Sequence, residues 1–391
     1  MRVLKLLTAA KSVSALSALW TFPSILFSAF LVAWGAEAAQ FLMSQGLALA
    51  ILAWLQTLPE FAVEAVIAWE AGREPARAHL AIANLTGAIR LLLGLGWPMI
   101  YAVYVWYGRA NQSVRLPAIR LTAEHGTEVA GLIPGLLYFV FILFKGSIGW
   151  IDALILLALY GLYLAALLRH PPQSVEKVED APAVSRWAYA QPGWRRPAAI
   201  VGLFVVGGAL LFFTAHPFLE SMLAVAGTLG VSQFVLVQWV APFLSEFPEK
   251  LSAFAWARRV SHAPMALMNL VSSNINQWTV LAPMIPLVYG YSHWRATGAW
   301  IDFQFDNAQR LEILITLLQS VVAVLVLLTL ELKWFEALGI FALWLVQFLV
   351  PHWRVEVAWG YGAWIAALVV LYAFRKRRPL AISAAWRSLR A

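Results

Sequence analysis

Leu55-Gln56-Thr57-Leu58-Pro59-Glu60 and Leu244-Ser245-Glu246-Phe247-Pro248-Glu249 are two copies of one pattern, a Pro-Glu pair set inside an otherwise apolar run. Proline within a helix removes an N–H and frees a carbonyl, and the carboxylate beside it adds a charge. In lipid both are tolerated only where neighbouring helices or a polar cavity satisfy them. The pattern marks two polar points, and the surrounding chain decides how they are related.

Of the 391 residues, 62% are hydrophobic and 12% charged, about half the charged fraction of an ordinary soluble protein. Such a chain cannot cover a water-facing surface. Apolar segments fall near 14–34, 46–70, 77–107, 127–145, 149–169, 198–218, 226–257, 263–291, 309–331, 333–350 and 356–374, eleven in all. Most match the ~20 residues that a helix needs to cross a bilayer. The expected fold class is therefore all-α, a polytopic membrane protein with no room for a separate soluble domain. Cysteine is absent, which excludes disulfides, thiolate metal sites and cysteine nucleophiles. The net charge of +8 reads as basic cytoplasmic loops and not as a nucleic-acid surface.

A polar stretch from His170 to Arg196 divides the segments into five and six. Alternating the sides places nine Lys/Arg on the side of the N-terminus and seventeen on the other, including Arg375-Lys376-Arg377-Arg378. The positive-inside rule then puts the N-terminus outside and both the linker and the basic tail in the cytoplasm, with a bacterial inner (plasma) membrane as the expected location. Arg2, Lys5 and Lys11 before an apolar run ending in Ala36-Glu37-Ala38 also fit a signal peptide. The run is long for one, so a retained first span is expected.

The two groups of five resemble each other. Trp150-Ile151-Asp152-Ala153-Leu154 opens the fifth segment and Trp334-Phe335-Glu336-Ala337-Leu338 the tenth, while Pro-Glu falls in the second and the seventh. Because five is odd, the second copy enters the membrane from the opposite side, giving two inverted five-helix repeats with a shared site near the midplane. The expected divisions are a first repeat over 1–169, a cytoplasmic linker over 170–197, a second repeat over 198–351, and an extra span with a basic tail over 352–391.

Each Pro-Glu pair is followed by an amide-rich segment: Ala83-Asn84-Leu85-Thr86-Gly87 in the first repeat, and Met268-Asn269-Leu270-Val271-Ser272-Ser273-Asn274-Ile275-Asn276-Gln277 in the second. A carboxylate beside freed carbonyls and hydroxyls can build an all-oxygen cage, which suits a hard cation such as Ca²⁺, or Na⁺ with fewer charges.

These motifs resemble the calcium/cation antiporter superfamily, the sodium/calcium exchangers and their relatives. Its alpha-repeats carry Gly-Thr-Ser-x-Pro-Glu on one helix and Gly-Asn-x-x-Gly-Ser-Asn-x-x-Asn/Asp on the next. The alpha-1 segment would be about 46–107 and the alpha-2 segment about 226–291. The resemblance implies that Glu60 and Glu249 bind Ca²⁺ and share their sites with Na⁺ or protons. It also implies neutral partners at Gln56, Thr57, Asn84, Ser245, Asn269, Ser273, Asn274 and Gln277, with Glu246 as an extra carboxylate. This chain departs from the pattern where Ser-Asn becomes Ala88-Ile89 and the last Asn becomes Leu92, so three side-chain oxygens are missing from the first repeat.

Two cations lie inside the segments. Arg90 could pair with Glu64, Glu60 or Glu246, standing in for a coupling ion or plugging the site. Lys250 could pair with Glu246, its i−4 neighbour. Both, with Glu64, are expected to modulate the site, since an intramembrane charge marks function unless it is paired. Glu70 falls near the outer interface, and the seven histidines lie at segment ends without metal-ligand spacing.

The expected function is secondary antiport of a cation, Ca²⁺ against Na⁺ or H⁺, in a chain with no cofactor and with lipid and inorganic cations as its partners. Loss of neutral ligands favours protons, because a glutamate carries its own counter-ion when protonated. The sequence contains no Walker motif, nucleophile elbow or metalloprotease motif, so neither ATP-driven transport nor an intramembrane enzyme is expected. Two rivals remain: a degenerate exchanger acting as a sensor or membrane partner, and a carrier of another metal or an organic cation.

Overall fold

A chain in lipid must close its backbone hydrogen bonds internally, and a helix does this locally. The computed structural model, which describes residues 13–42, 57–112, 118–169 and 178–390, is accordingly almost wholly helical. The first half contains α1 (Ala18–Gln40), α2 (Leu58–Arg73), α3 (Ala78–Leu91), α4 (Trp97–Gln112), α5 (Gly126–Lys145) and α6 (Trp150–Leu167). A short α7 (Ala183–Ala190) lies in the linker. The second half contains α8 (Arg195–Leu229), α9 (Gln233–Ser245), α10 (Phe247–Ala257), α11 (Ala263–Asn276), α12 (Ala282–Thr297), α13 (Asn307–Leu327) and α14 (Trp334–Leu349). Then follow α15 (Arg354–Ala373) and α16 (Leu380–Arg390). Among the described residues, seven helical stretches are long and apolar enough to cross a membrane, and α9 and α14 are shorter apolar helices. Large side chains such as Phe144, Phe212 and Trp359 face outward, as a lipid-facing surface requires.

The Pro-Glu pairs start helices. In both α2 and α10 the proline is the second residue, where its missing N–H and fixed φ do no harm, and the glutamate lies in the first turn, near the positive end of the helix dipole. The expected seventh segment is thus two helices, α9 and α10, which meet at Glu246 (φ −97, ψ 3). Its expected start also shifts. Residues 226–229 belong to α8, which ends only at Gly230, a glycine with φ 66. Within the stretch 178–197, α7 covers Ala183–Ala190 and α8 begins at Arg195.

The halves mirror each other in detail. Leu92–Gly96 joins α3 to α4 through a wide, π-type turn, and Gln277–Leu281 joins α11 to α12 in the same way. Leu92 and Gln277, the residues that open these turns, are the two positions matched by the sequence repeat. The acids of the Trp-x-Asp/Glu motifs are helix caps: Asp152 accepts from the Gly149 N–H at 2.6 Å and Glu336 from the Lys333 N–H at 2.8 Å.

Two short antiparallel ribbons join the halves. β1 (Ala118–Arg120) pairs with β4 (Glu331–Lys333), and β2 (Ser147–Ile148) pairs with β3 (Phe303–Gln304). Each pair takes one strand from each half. Because α5 separates β1 from β2, the ribbons lie at opposite ends of the packed pair α5 and α13.

Around this frame α1 packs along α8, with Thr21 and Ser221 hydroxyls 2.7 Å apart. Helix α3 packs on α9, and α2 on α12. Gly87 makes the first of these contacts possible, because a Cβ there would overlap the Gln238 carbonyl. The extra helix α15 lies on α13, and Ala381 and Ala384 of α16 press on Gly126 at the start of α5.

Candidate functional site

The starts of α2 and α10 bring three carboxyls together deep in the bundle. Glu60, Glu246 and Glu249 are 2%, 4% and 8% exposed. Gln277, at the wide turn after α11, ties them across the repeats. Its Nε2 donates to Glu60 Oε1 at 3.2 Å and to Glu246 Oε1 at 2.9 Å. Asn274 Nδ2 donates to Gln277 Oε1 at 3.2 Å and fixes the amide's orientation. The Lys250 ammonium donates to Glu246 Oε2. Glu249 is held from its own repeat, by Asn269 Nδ2 at 3.3 Å and Ser273 Oγ at 3.2 Å.

The other expected ligands divide. Thr57 is buried at the start of α2. Ser245 is buried and donates to the Ala241 carbonyl at 3.0 Å, closing its own helix. Gln56 lies outside the described residues. Asn84 turns away from Glu60, and its Nδ2 donates to Glu64 Oε2 at 2.5 Å. The reason is spacing. Asn269 follows Glu249 by 20 residues, and Asn84 follows Glu64, not Glu60, by the same number. The hairpin between α2 and α3 is one helical turn longer than its counterpart, so Asn84 meets the acid one turn further along.

Arg90 lies neither over Glu60 nor beside Glu64 and Glu246. It is 1% exposed and ion-pairs with Glu312 on α13. Its Nη1 donates to Gln347 Oε1 at 3.0 Å, its Nε to the Thr86 carbonyl at 3.1 Å, and its guanidinium lies 5.4 Å from the Trp239 ring centre. Gln238 Nε2 donates to Glu312 Oε2 at 2.9 Å, and Arg354 Nε stands 2.7 Å from Glu312 Oε1. Arg90 therefore ties α3 to α9, α13 and α14, and among the described residues it forms no hydrogen bond or ion pair with Glu60, Glu246 or Glu249. Neither the pairing with Glu60, Glu64 or Glu246 nor the role of plug holds. Sequence reasoning missed Glu312, although an acid inside the apolar run 309–331 was a signal for a buried partner.

Another unanticipated acid, Glu37 of α1, accepts from Ser185 of α7 and Ser252 of α10, both at 3.1 Å. Glu70 meets His216 at 3.5 Å near the end of α2. Among the described residues no three His, Cys, Asp or Glu side chains converge in a ready metal-ligand arrangement. The cluster of Glu60, Glu246 and Glu249 is instead closed by amide, hydroxyl and ammonium donors. A hard cation would exchange those donors for its own bonds to the carboxylate oxygens.

The profile of the family described as sodium/calcium exchanger protein matches residues 12–169 and 199–352. Among solved structures, the crystal structure of the H⁺/Ca²⁺ exchanger CAX is similar at 31% identity, with a TM-score of 0.86 over 96% of this chain and 92% of that one. The sodium-calcium exchanger NCX_Mj shares the fold. In two of its structures the identity is 17% and 16%, the TM-scores are 0.52 and 0.54, and 97% and 99% of that chain is covered by 85% and 86% of this one. No curated protein matches the chain.

Proposed function

Because the chain belongs to the sodium/calcium exchanger protein family, we propose that it is a secondary antiporter that moves Ca²⁺ against protons, with Na⁺ as the alternative counter-ion. The observation that carries this reading is the cluster of Glu60, Glu246 and Glu249, which draws carboxyls from both repeats and is bridged by Gln277. Two buried carboxyls that share one amide donor, as Glu60 and Glu246 share Gln277 Nε2, repel each other when both are ionised, and a proton on one of them relieves this. A Ca²⁺ ion entering the cluster would displace that proton, and this couples the two ions at one place.

The location supports alternating access. The carboxyls lie where α9 ends and where α2 and α10 begin, so short helices point their ends at the ion from both repeats. Rocking one set of helices against the ribbon-bound frame would open this point to one side or the other. We assign the N-terminus to the outside and the 170–197 linker and the basic tail to the cytoplasm of a bacterial plasma membrane, on the charge asymmetry of the loops. The reading as a degenerate, non-transporting protein loses one of its two motives, since Arg90 is engaged by Glu312, and keeps the other, the oxygens missing from the first repeat.

The test is ⁴⁵Ca²⁺ uptake into proteoliposomes under a pH gradient without Na⁺, and under a Na⁺ gradient at fixed pH. Uptake driven by the pH gradient is the expected result. Folded protein that carries no Ca²⁺ under either gradient would end the proposal.

A further inference from the structure

Glu64 is buried at 0% exposure and Asn84 at 1%. One hydrogen bond, from Asn84 Nδ2 to Glu64 Oε2, joins them at 2.5 Å. The remaining oxygen of each, Glu64 Oε1 and Asn84 Oδ1, is buried without a hydrogen-bond partner. In the second repeat the acid that stands 20 residues before the matching asparagine, Glu249, has both oxygens engaged, one by Asn269 and one by Ser273. Ala88 stands where Ser273 would be mirrored, so the first repeat lacks the hydroxyl that would engage Glu64 Oε1.

No charge on the packed helices compensates Glu64 among the described residues. Of the elements packed on α2, namely α1, α3, α8, α9 and α12, α3 brings Arg90, which is on Glu312. Helix α8 brings His216, which meets Glu70, and Glu220, which pairs with Arg77. Its Arg196 lies over Tyr189, and the α1 acid Glu37 accepts from two serines. The imidazoles of His79 and His293 turn to the Ala76 and Gly72 carbonyls. Tyr289 packs on Phe303, while Tyr291 and Arg295 of α12 are exposed. Helix α9 contributes no ionisable side chain.

A lone buried carboxylate is unfavourable unless a positive charge joins it. We propose that Glu64 and Asn84 form a second cation site that takes a single monovalent charge, a proton or Na⁺, one helical turn from the carboxyl cluster. Glu64 Oε1 and Asn84 Oδ1 are its oxygen donors. The distance along α2 from Glu60 to Glu64 is about 6 Å, close enough for their charges to repel. Loading this site would therefore compete electrostatically with Ca²⁺ at the cluster without sharing its ligands.

This inference rests on the antiport reading, and counting ions tests the two separately. In proteoliposomes the number of H⁺ moved per ⁴⁵Ca²⁺ is measured under a pH gradient without Na⁺, and the number of ²²Na⁺ per ⁴⁵Ca²⁺ under a Na⁺ gradient at fixed pH. Glu64→Gln keeps the shape and the hydrogen bond to Asn84. It is expected to move one fewer monovalent cation per Ca²⁺, and the arm in which the loss appears identifies the ion. An unchanged count in both arms overturns the proposal, as does a folded Glu64→Gln protein that no longer binds Ca²⁺, because Glu64 would then belong to the Ca²⁺ site. If the wild type carries no Ca²⁺, the antiport reading fails instead. The second site is then read from equilibrium ²²Na⁺ binding and proton uptake in detergent, where Glu64→Gln and Glu64→Met should each bind one fewer charge and an equal number overturns it.

Discussion

Gln277 donates to Glu60 across the interface between the repeats, 3.2 Å from nitrogen to oxygen, and the same amide nitrogen holds Glu246. One neutral side chain of the second repeat thus keeps a carboxyl from each half in a common cluster. Replacing it with Gln277→Leu strands two buried oxygens, at about 1–3 kcal/mol each. Melting in Ca²⁺-free detergent should fall by several degrees, and added Ca²⁺ should raise it more than in the wild type. Melting that does not change without Ca²⁺ contradicts the bridging role.

Glu249→Gln removes one carboxylate while preserving size and both hydrogen-bonded neighbours, Asn269 and Ser273. Gradient-driven ⁴⁵Ca²⁺ flux should drop by about a hundredfold or more, equivalent to about 2.7 kcal/mol. Expression and melting temperature should stay near wild type. Flux within twofold of wild type would remove Glu249 from the transport site.

Arg90→Met removes one of the two guanidinium partners of buried Glu312 and leaves it on Arg354 alone, a loss bounded by the cost of breaking a buried pair outright, about 3–5 kcal/mol. The variant should melt well below wild type, and Arg90→Met with Glu312→Leu should recover most of the loss. The Ca²⁺ concentration for half-maximal flux should change little in the double variant. A tenfold change there would return Arg90 to the ion site.

On the proposed reading protons and Ca²⁺ would compete for the same oxygens of Glu60, Glu246 and Glu249, because a protonated carboxyl is a poor ligand for a hard cation. Apparent Ca²⁺ affinity should therefore rise as pH rises on the binding side and fall as it is lowered. Titration of the flux at fixed gradients measures this. An affinity independent of pH would favour Na⁺ as the counter-ion.

Much of this architecture is legible in the residues themselves. The doubled Pro-Glu pattern and the odd number of segments per repeat already imply that Glu60 and Glu249 share one place. Arg90 was not legible because its direction depends on helical phase. Positions two apart on a helix are turned by about 200° from each other, so Arg90 faces away from the side on which Leu92 lies. Asn84 was misassigned for a countable reason. Its distance from Glu60 exceeds that of Asn269 from Glu249 by four residues, one helical turn, and matching motifs by residue type alone hides that slip. The break at Glu246 follows from Pro248, but an apolar run gives no sign that the chain starts a new helix there and does not bend.

The ribbons at the two ends of α5 and α13 bear on how such a chain could have arisen. Each half supplies one strand to each ribbon and completes neither alone. A chain of one half only would find its missing edges in a second copy of itself inserted upside down. The protein can be seen as such an antiparallel couple fused end to end, and once fused, each half was free to change on its own. Position 88 is alanine while its mirror position, Ser273, holds Glu249, a difference that two identical partners could not carry.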